Sequence, residues 1–262
     1  MKQICVITGA SSGIGKEFFL KITKDADFKF DEMWVIARRE DRLKELSELC
    51  DIPVKAIALD LSDENSYKEY EALLEKENPT ISLLINCSGF GKFESTQNIG
   101  CEASLNMIDL NVNATVAMDL ISLKYMKEGS GIINIASVAG YQPIPYINVY
   151  GATKAFVLNF TRALSVEVKK KGIKVMAVCP FWTKTEFFDR AVKQDEDPVV
   201  KTYVAMYEPK DIVKRALKDY KKGKMVSLFG TITKLQLLAV KLMPASMTMW
   251  VWMTQQKLWD RK

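Results

Sequence analysis

The chain has 262 residues, 48% hydrophobic and 26% charged, which suits one large domain with a well-buried core. Its net charge of +5 comes from 37 basic and 32 acidic residues spread along the chain, with no basic block dense enough to address a nucleic acid. Histidine is absent, which excludes Ser-His-Asp and Cys-His catalysis and histidine-ligated zinc, so no metal site is expected; the five cysteines, an odd count without CxxC spacing, fit a reducing cytoplasm.

The N-terminal run "ICVITGA" enters a strand almost at once, leaving no room for a cleavable signal. It leads into "TGASSGIG" and then the helical "KEFFLKI". Gly9, Gly13 and Gly15 let the backbone turn tightly and approach a phosphate at the positive end of the next helix, with Ser11, Ser12 and Ile14 completing the loop. A plain glycine-rich turn is the alternative, but strand, glycines and helix in this order favour a dinucleotide. No Gly-Lys-Ser/Thr follows, so this is not an ATP-binding P-loop.

The second strand, "EMWVIAR", ends Ala37-Arg38-Arg39, and acids arrive only at Glu40 and Asp41. A carboxylate at that strand end suits the ribose diol of NAD, whereas an arginine suits the 2′-phosphate of NADP. NADP(H) is therefore the expected cofactor, with Arg38 the favoured contact and Arg39 the second. The third strand, "VKAIALDL", brings Asp60 and Leu61 toward the adenine; Asp60 is equally placed to cap the following helix, with Ser62 competing for that role. In "ENSYKEYEALLEKE" Tyr67, Tyr70, Leu73 and Leu74 recur at helical spacing.

The later runs "ISLLINCSG", "GIINIAS", "IKVMAVCPF" and "KMVSLFG" are mostly apolar throughout, the pattern of strands buried on both faces of a parallel sheet. Alternation with helices predicts an α/β, doubly wound Rossmann fold: a seven-stranded, mostly parallel sheet flanked by helices. Residues 1–230 are expected to form a single domain with a lid at about 182–210, and residues 231–262 a C-terminal helical extension.

Ser137 stands at the carboxyl end of the fifth strand, where open α/β sheets place ligands. Tyr150 and Lys154 follow in "NVYGATKAF", four residues apart and so on one helical face, where an ammonium stabilises a phenolate. With the glycine motif, these residues resemble the short-chain dehydrogenase/reductase family: TGxxxGxG, a serine, YxxxK and an upstream asparagine, over about residues 3 to 190. The resemblance implies an NADP(H)-dependent oxidoreductase acting on a ketone or secondary alcohol. It implies a tetrad of Asn111 (ahead of Asn113), Ser137, Tyr150 and Lys154, in which Tyr150 passes the proton and Ser137 hydrogen-bonds the same oxygen. Lys154 holds the nicotinamide ribose and tunes the tyrosine, and Asn111 anchors a relay water. The family's Asn-Asn-Ala-Gly reads Asn86-Cys87-Ser88-Gly89, keeping Asn86 and Gly89 for the cofactor, and its Pro-Gly reads Pro180-Phe181, a bulkier loop. Beyond it Thr183 is assigned to the carboxamide and Thr185 to a phosphate.

Phe181, Trp182, Phe187 and Phe188 in "FWTKTEFFDRAV" make an apolar cover that suits a hydrophobic substrate such as a sterol or fatty acyl carbonyl, or else merely packs the lid. In the tail, Ile232, Leu235, Leu238, Ala239 and Leu242 form a helical stripe. Packing on its own domain or on a second subunit of a homodimer or homotetramer is the default, and membrane-surface association the minority reading. The longest charge-free run there, Leu242 to Gln256, is shorter than the roughly 18 residues a bilayer span needs. A non-catalytic NADP-binding regulator and a redox-neutral lyase or epimerase are the rival readings.

Overall fold

Strands form where consecutive residues are apolar: β1 (Gln3–Thr8), β2 (Glu32–Ala37), β3 (Val54–Ala58), β4 (Thr80–Asn86), β5 (Gly131–Ile135), β6 (Lys174–Val178) and β7 (Val226–Ser227). The computed structural model of the chain describes residues 1–192 and 198–261; positions 193–197 of the expected lid and Lys262 of the expected extension lie outside the described residues. The seven strands make one sheet in the order β3-β2-β1-β4-β5-β6-β7, and every pairing is parallel. From β1 the chain winds outward to β2 and β3, then returns to β4 on the other side, with Val6 opposite both Trp34 and Leu84. That reversal leaves a crevice at the carboxyl ends of β1 and β4, where such sheets bind ligands.

Helices cover both faces. Phe18, Phe19 and Ile22 of α1 (Gly13–Ile22) are fully or almost fully buried on one face beside Ile212, Val213 and Ala216 of α8 (Pro209–Lys221). Burying each such side chain stabilises the fold by about 2 kcal/mol. The other face takes Tyr70 and Leu74 of α3 (Asn65–Glu77), Met118 of α5 (Ala114–Leu123) and Leu164 of α6 (Asn148–Glu167). The expected helix "REDRLKELSELC" splits into α2 (Glu40–Lys44) and a 3₁₀ turn over Glu45–Leu49, which still buries Leu43 and Leu46. Between α4 (Thr96–Ile108) and α5 the chain widens into a π turn, Asp109–Asn113, a local unwinding that recurs at functional sites.

The short α7 (Phe187–Ala191) precedes α8, and α9 (Thr231–Leu242) and α10 (Ala245–Gln255) follow β7. The tail docks on the body, but not by the stripe the periodicity picks out. Ile232, Leu235, Leu238 and Leu242 are 45%, 62%, 56% and 77% exposed, while Thr233 and Leu237 face inward. The helix is apolar on more than one side, and the seat is decided by polar anchors in α10 and beyond. Trp252 Nε1 donates to the Pro145 carbonyl at 3.0 Å, and Gln256 Oε1 accepts from the amides of Lys201 and Thr202 at 2.7 and 3.0 Å. Among the described residues, no helix is long and apolar enough to cross a membrane.

Candidate active site

The glycine loop closes the crevice with no space to spare. Gly9 takes φ +66°, and a β-carbon there would stand 2.8 Å from the Cys87 carbonyl carbon; one on Gly15 would stand 2.3 Å from Gly9 O. Thr8 Oγ1 holds the opposite wall by accepting from the amides of Cys87 and Ser88 at 3.1 and 3.2 Å. Ser12, at the start of α1, makes no side-chain cap, so the amides of the first turn face the crevice unclaimed by a side chain. The resulting cleft of about 490 Å³ is lined by every residue assigned to the cofactor except Asn86. A glycine cradle, helix-end amides and basic groups together fit a dinucleotide phosphate.

At one end of the cleft the arginines divide. Arg39 leans over the glycine loop, donating to Ser11 Oγ and Ser12 Oγ at 3.1 Å each, and also to Glu186 at 3.1 Å. Arg38, favoured from sequence, lies 3.6 Å from Asp60 Oδ2. Asp60 caps neither α3 nor a longer helix: its Oδ1 accepts from the Ser62 amide and hydroxyl at 3.0 and 2.7 Å, closing a local turn, and Glu64 precedes α3. Glu186, whose carboxyl is held below the usual range by Arg42 and Arg39, and Arg190, over Phe90, also line this end. Sequence reasoning missed both, because they arrive at α7 more than a hundred residues later.

At the other end Ser137, Tyr150 and Lys154 come together. Lys154 Nζ donates to Ile135 O at 2.8 Å and stands 5.8 Å from the centre of the Tyr150 ring, which packs between Phe93 and Phe187. Ser137 Oγ accepts from the Ala139 amide at 3.1 Å. Burial pushes Tyr150 up to about 12 against a smaller lowering by Ser137, and burial brings Lys154 down to about 8. For the protein groups by themselves, desolvation decides the direction at both side chains.

Asn111 sits behind this surface, fully buried in the π turn. Its Oδ1 accepts from Phe90 N at 3.0 Å, and its Nδ2 donates to Phe90 O at 2.9 Å and Thr153 Oγ1 at 3.0 Å. Asn113 faces solvent and bonds Asp109. A β-carbon on Gly89 would meet Asn111 Oδ1 at 2.8 Å and Lys154 Nζ at 3.4 Å, so a glycine lets the strand end pass between them. Asn86 is likewise off the cleft wall. It donates to Asp119 Oδ1 at 2.7 Å and to Asn134 Oδ1 at 2.9 Å, while Asn134 donates to Asp119 Oδ2 at 2.7 Å. Burial raises the Asp119 carboxyl to about 7. Phe181, where the family pattern has a glycine, packs at a tilt on Trp182 and Tyr207, and its φ is not positive, so no glycine is required.

Residues 3–196 match the short chain dehydrogenase family model. The chain belongs to that family. It is 30% identical over 181 residues to an uncharacterized oxidoreductase of Staphylococcus epidermidis, covering 68% of this chain and 77% of that one. It is 34% identical over 189 residues to the NADP-dependent 3-hydroxy acid dehydrogenase of Schizosaccharomyces pombe, covering 70% and 72%. Its fold aligns with a short-chain dehydrogenase from Sphingobium yanoikuyae in complex with NADPH, with a TM-score of 0.76, 26% identity, and 92% and 93% of the two chains covered. The protein is thus an oxidoreductase of CH–OH and C=O groups with the family's nicotinamide dinucleotide cofactor.

In this short-chain dehydrogenase a second cavity, of about 440 Å³, lies on the far side of Ser137 and Tyr150. Its walls are mostly apolar: Phe93, Ile144, Ile147, Trp182 and Phe187, with Val240, Met243 and Trp252 from the tail, and a few glutamines and threonines among them. Tyr146, just ahead of α6, takes φ +64°, a left-handed conformation unusual for an aromatic residue. The bond from Trp252 to Pro145 O holds this turn, as does the Arg261 guanidinium 5.8 Å from the Tyr146 ring centre.

Proposed function

We propose that the protein transfers a hydride between NADP(H) and an apolar ketone or its secondary alcohol, with Ser137, Tyr150, Lys154 and Asn111 as the working residues. One observation carries the reading: Ser137 and Tyr150 form a wall common to the dinucleotide cleft and the apolar cavity. A carbonyl entering from the apolar side meets a hydroxyl pair at the boundary with the cofactor. Bound NADP(H) supplies or accepts the hydride.

The Tyr150 hydroxyl donates a proton to the carbonyl oxygen in reduction and takes it back in oxidation. Ser137 Oγ donates a hydrogen bond to the same oxygen as charge develops there. Lys154, aimed by Ile135 O, binds the ribose of the cofactor and favours the phenolate that forms when Tyr150 gives up its proton. Asn111 is a positioning residue: its side chain fixes the Phe90 backbone beneath the reacting groups. Preference for NADP rests on Arg38, Arg39 and Arg190 along the cleft, with Arg39 over Ser11 and Ser12 and no carboxylate at the end of β2. The named cofactors of the yeast and Sphingobium relatives support it. The lining of the second cavity supports an apolar substrate.

The test is NADPH and NADH oxidation against a panel of ketosteroids, acyl ketones and small polar carbonyls, using the wild type and Tyr150→Phe. Turnover falls by roughly 10²-fold or more in the variant while NADPH binding is kept. Near-wild-type turnover in Tyr150→Phe, or faster turnover of the polar carbonyls, overturns the reading.

A further inference from the structure

The most exposed apolar surface on the described chain is the outer side of the tail. Leu238, Leu242, Met247, Trp250 and Trp259 are 56%, 77%, 49%, 57% and 59% exposed. A soluble surface carries single apolar residues without consequence, but several on two successive helices and the turn after them mark a contact face. Its border is basic. Lys234 and Lys241, seven residues apart, share one flank of α9, and Lys257 follows α10; none has an ion-pair partner among the described residues. Asp260 is the lone acid from position 231 onward.

We propose that α9 and α10 dock in the headgroup region of an anionic lipid bilayer, and that the apolar cavity opens onto that bilayer. Leucines and tryptophans bordered by lysines are the composition of helices that lie in a membrane interface. Neither helix is long and apolar enough to span one. A second copy of the chain fits the face less well, because a two-fold contact sets lysine flanks against each other with a single aspartate per chain in reply. The cavity gives the docking a purpose. Ile232, Leu235 and Val251 are 45%, 62% and 39% exposed and also line the cavity, so its rim belongs to the same apolar face. An apolar carbonyl compound dissolved in the bilayer passes that rim to reach Tyr150 without crossing water. This delivery rests on the function proposed above; the docking does not.

The experiment is co-sedimentation of the full chain with vesicles of pure phosphatidylcholine and of phosphatidylcholine with phosphatidylglycerol, at physiological salt, beside sedimentation velocity without vesicles. Wild type pellets with the anionic vesicles at least roughly tenfold more than with the neutral ones. Lys234→Glu/Lys241→Glu loses that preference. Leu238→Glu/Leu242→Glu/Trp250→Glu, whose positions line neither cavity, stays in the supernatant yet keeps the wild-type turnover of a soluble carbonyl. Tyr150→Phe pellets like the wild type, which keeps failure of the chemistry separate from failure of the docking. Wild type that remains in the supernatant overturns the proposal, as does a triple variant that still pellets. A triple variant that instead drops to a smaller sedimenting species, with no vesicle binding by wild type, assigns the face to a second copy.

Discussion

Replacing Asp119 by Asn should flatten the pH dependence of stability. Asp119 is fully buried, receives hydrogen bonds from Asn86 and Asn134, and is raised to about 7 by burial. A carboxyl whose folded pKa lies above its unfolded one keeps its proton in the fold and loses it on unfolding. Its contribution to stability is fully present below about pH 4 and is lost as pH rises toward about 7. Among the described residues, no other group with a shifted titration acts between about pH 5 and 7. There is no histidine; the carboxyls held low, such as Asp25, Asp60, Glu186 and Asp219, act at lower pH; and Lys154 acts above it. At ~1.4 kcal/mol per unit, the two units from about pH 5 to 7 remove about 2–3 kcal/mol. Urea unfolding at half-unit steps across that interval measures it. Wild type loses stability as pH rises, while Asp119→Asn starts lower, having exchanged one acceptor for a donor facing Asn86 or Asn134, and stays level. Equal slopes in the two proteins, or wild-type stability that rises with pH, would refute the reasoning.

Gly9→Ala places a side chain at φ +66° against the immovable backbone of Cys87 and Ser88, so thermal unfolding should show a loss of at least about 1–2 kcal/mol, together with weaker NADPH binding. Glu186→Gln frees Arg39 and Arg42 for the 2′-phosphate; because both partners are nearly half exposed, the gain is about two- to fivefold in NADPH affinity by fluorescence titration, with NADH unchanged. Lys154 sits at about 8, so NADPH affinity should weaken as pH rises past that value, and Lys154→Arg should remove the dependence over pH 7 to 9.

What the sequence discloses is local. The strands are readable because both faces of the sheet are covered, which forces consecutive apolar residues in "ICVIT" and "LLIN". The glycine loop and the Tyr150–Lys154 pair are readable because backbone approach and helical spacing restrict residue types over a few positions. The unread parts depend on distant partners. Nothing in "VAMDLISL" says that Asp119 meets Asn86 and Asn134 of the central strands β4 and β5, and nothing in "TKTEFF" says that Glu186 reaches Arg39 and Arg42. Periodicity located the apolar stripe of α9 but not its direction, since Thr233 and Leu237 take the seat while Leu235 and Leu238 face outward. Side-chain paths are also unread: Arg39 curls back over the loop, while Arg38 turns to Asp60.

The left-handed turn at Tyr146 ties the start of α6 to the far end of the chain. Its two fasteners, Trp252 and Arg261, are made more than a hundred residues after it. On a ribosome the sheet and the dinucleotide cleft can therefore assemble well before the turn ahead of Tyr150 is pinned. A nascent chain stalled near residue 245 would hold its cofactor site but lack both the pin and the wall that α10 gives the apolar cavity. On the proposed function, competence for the cofactor precedes competence for the substrate during synthesis, the second waiting on α10 and the residues after it.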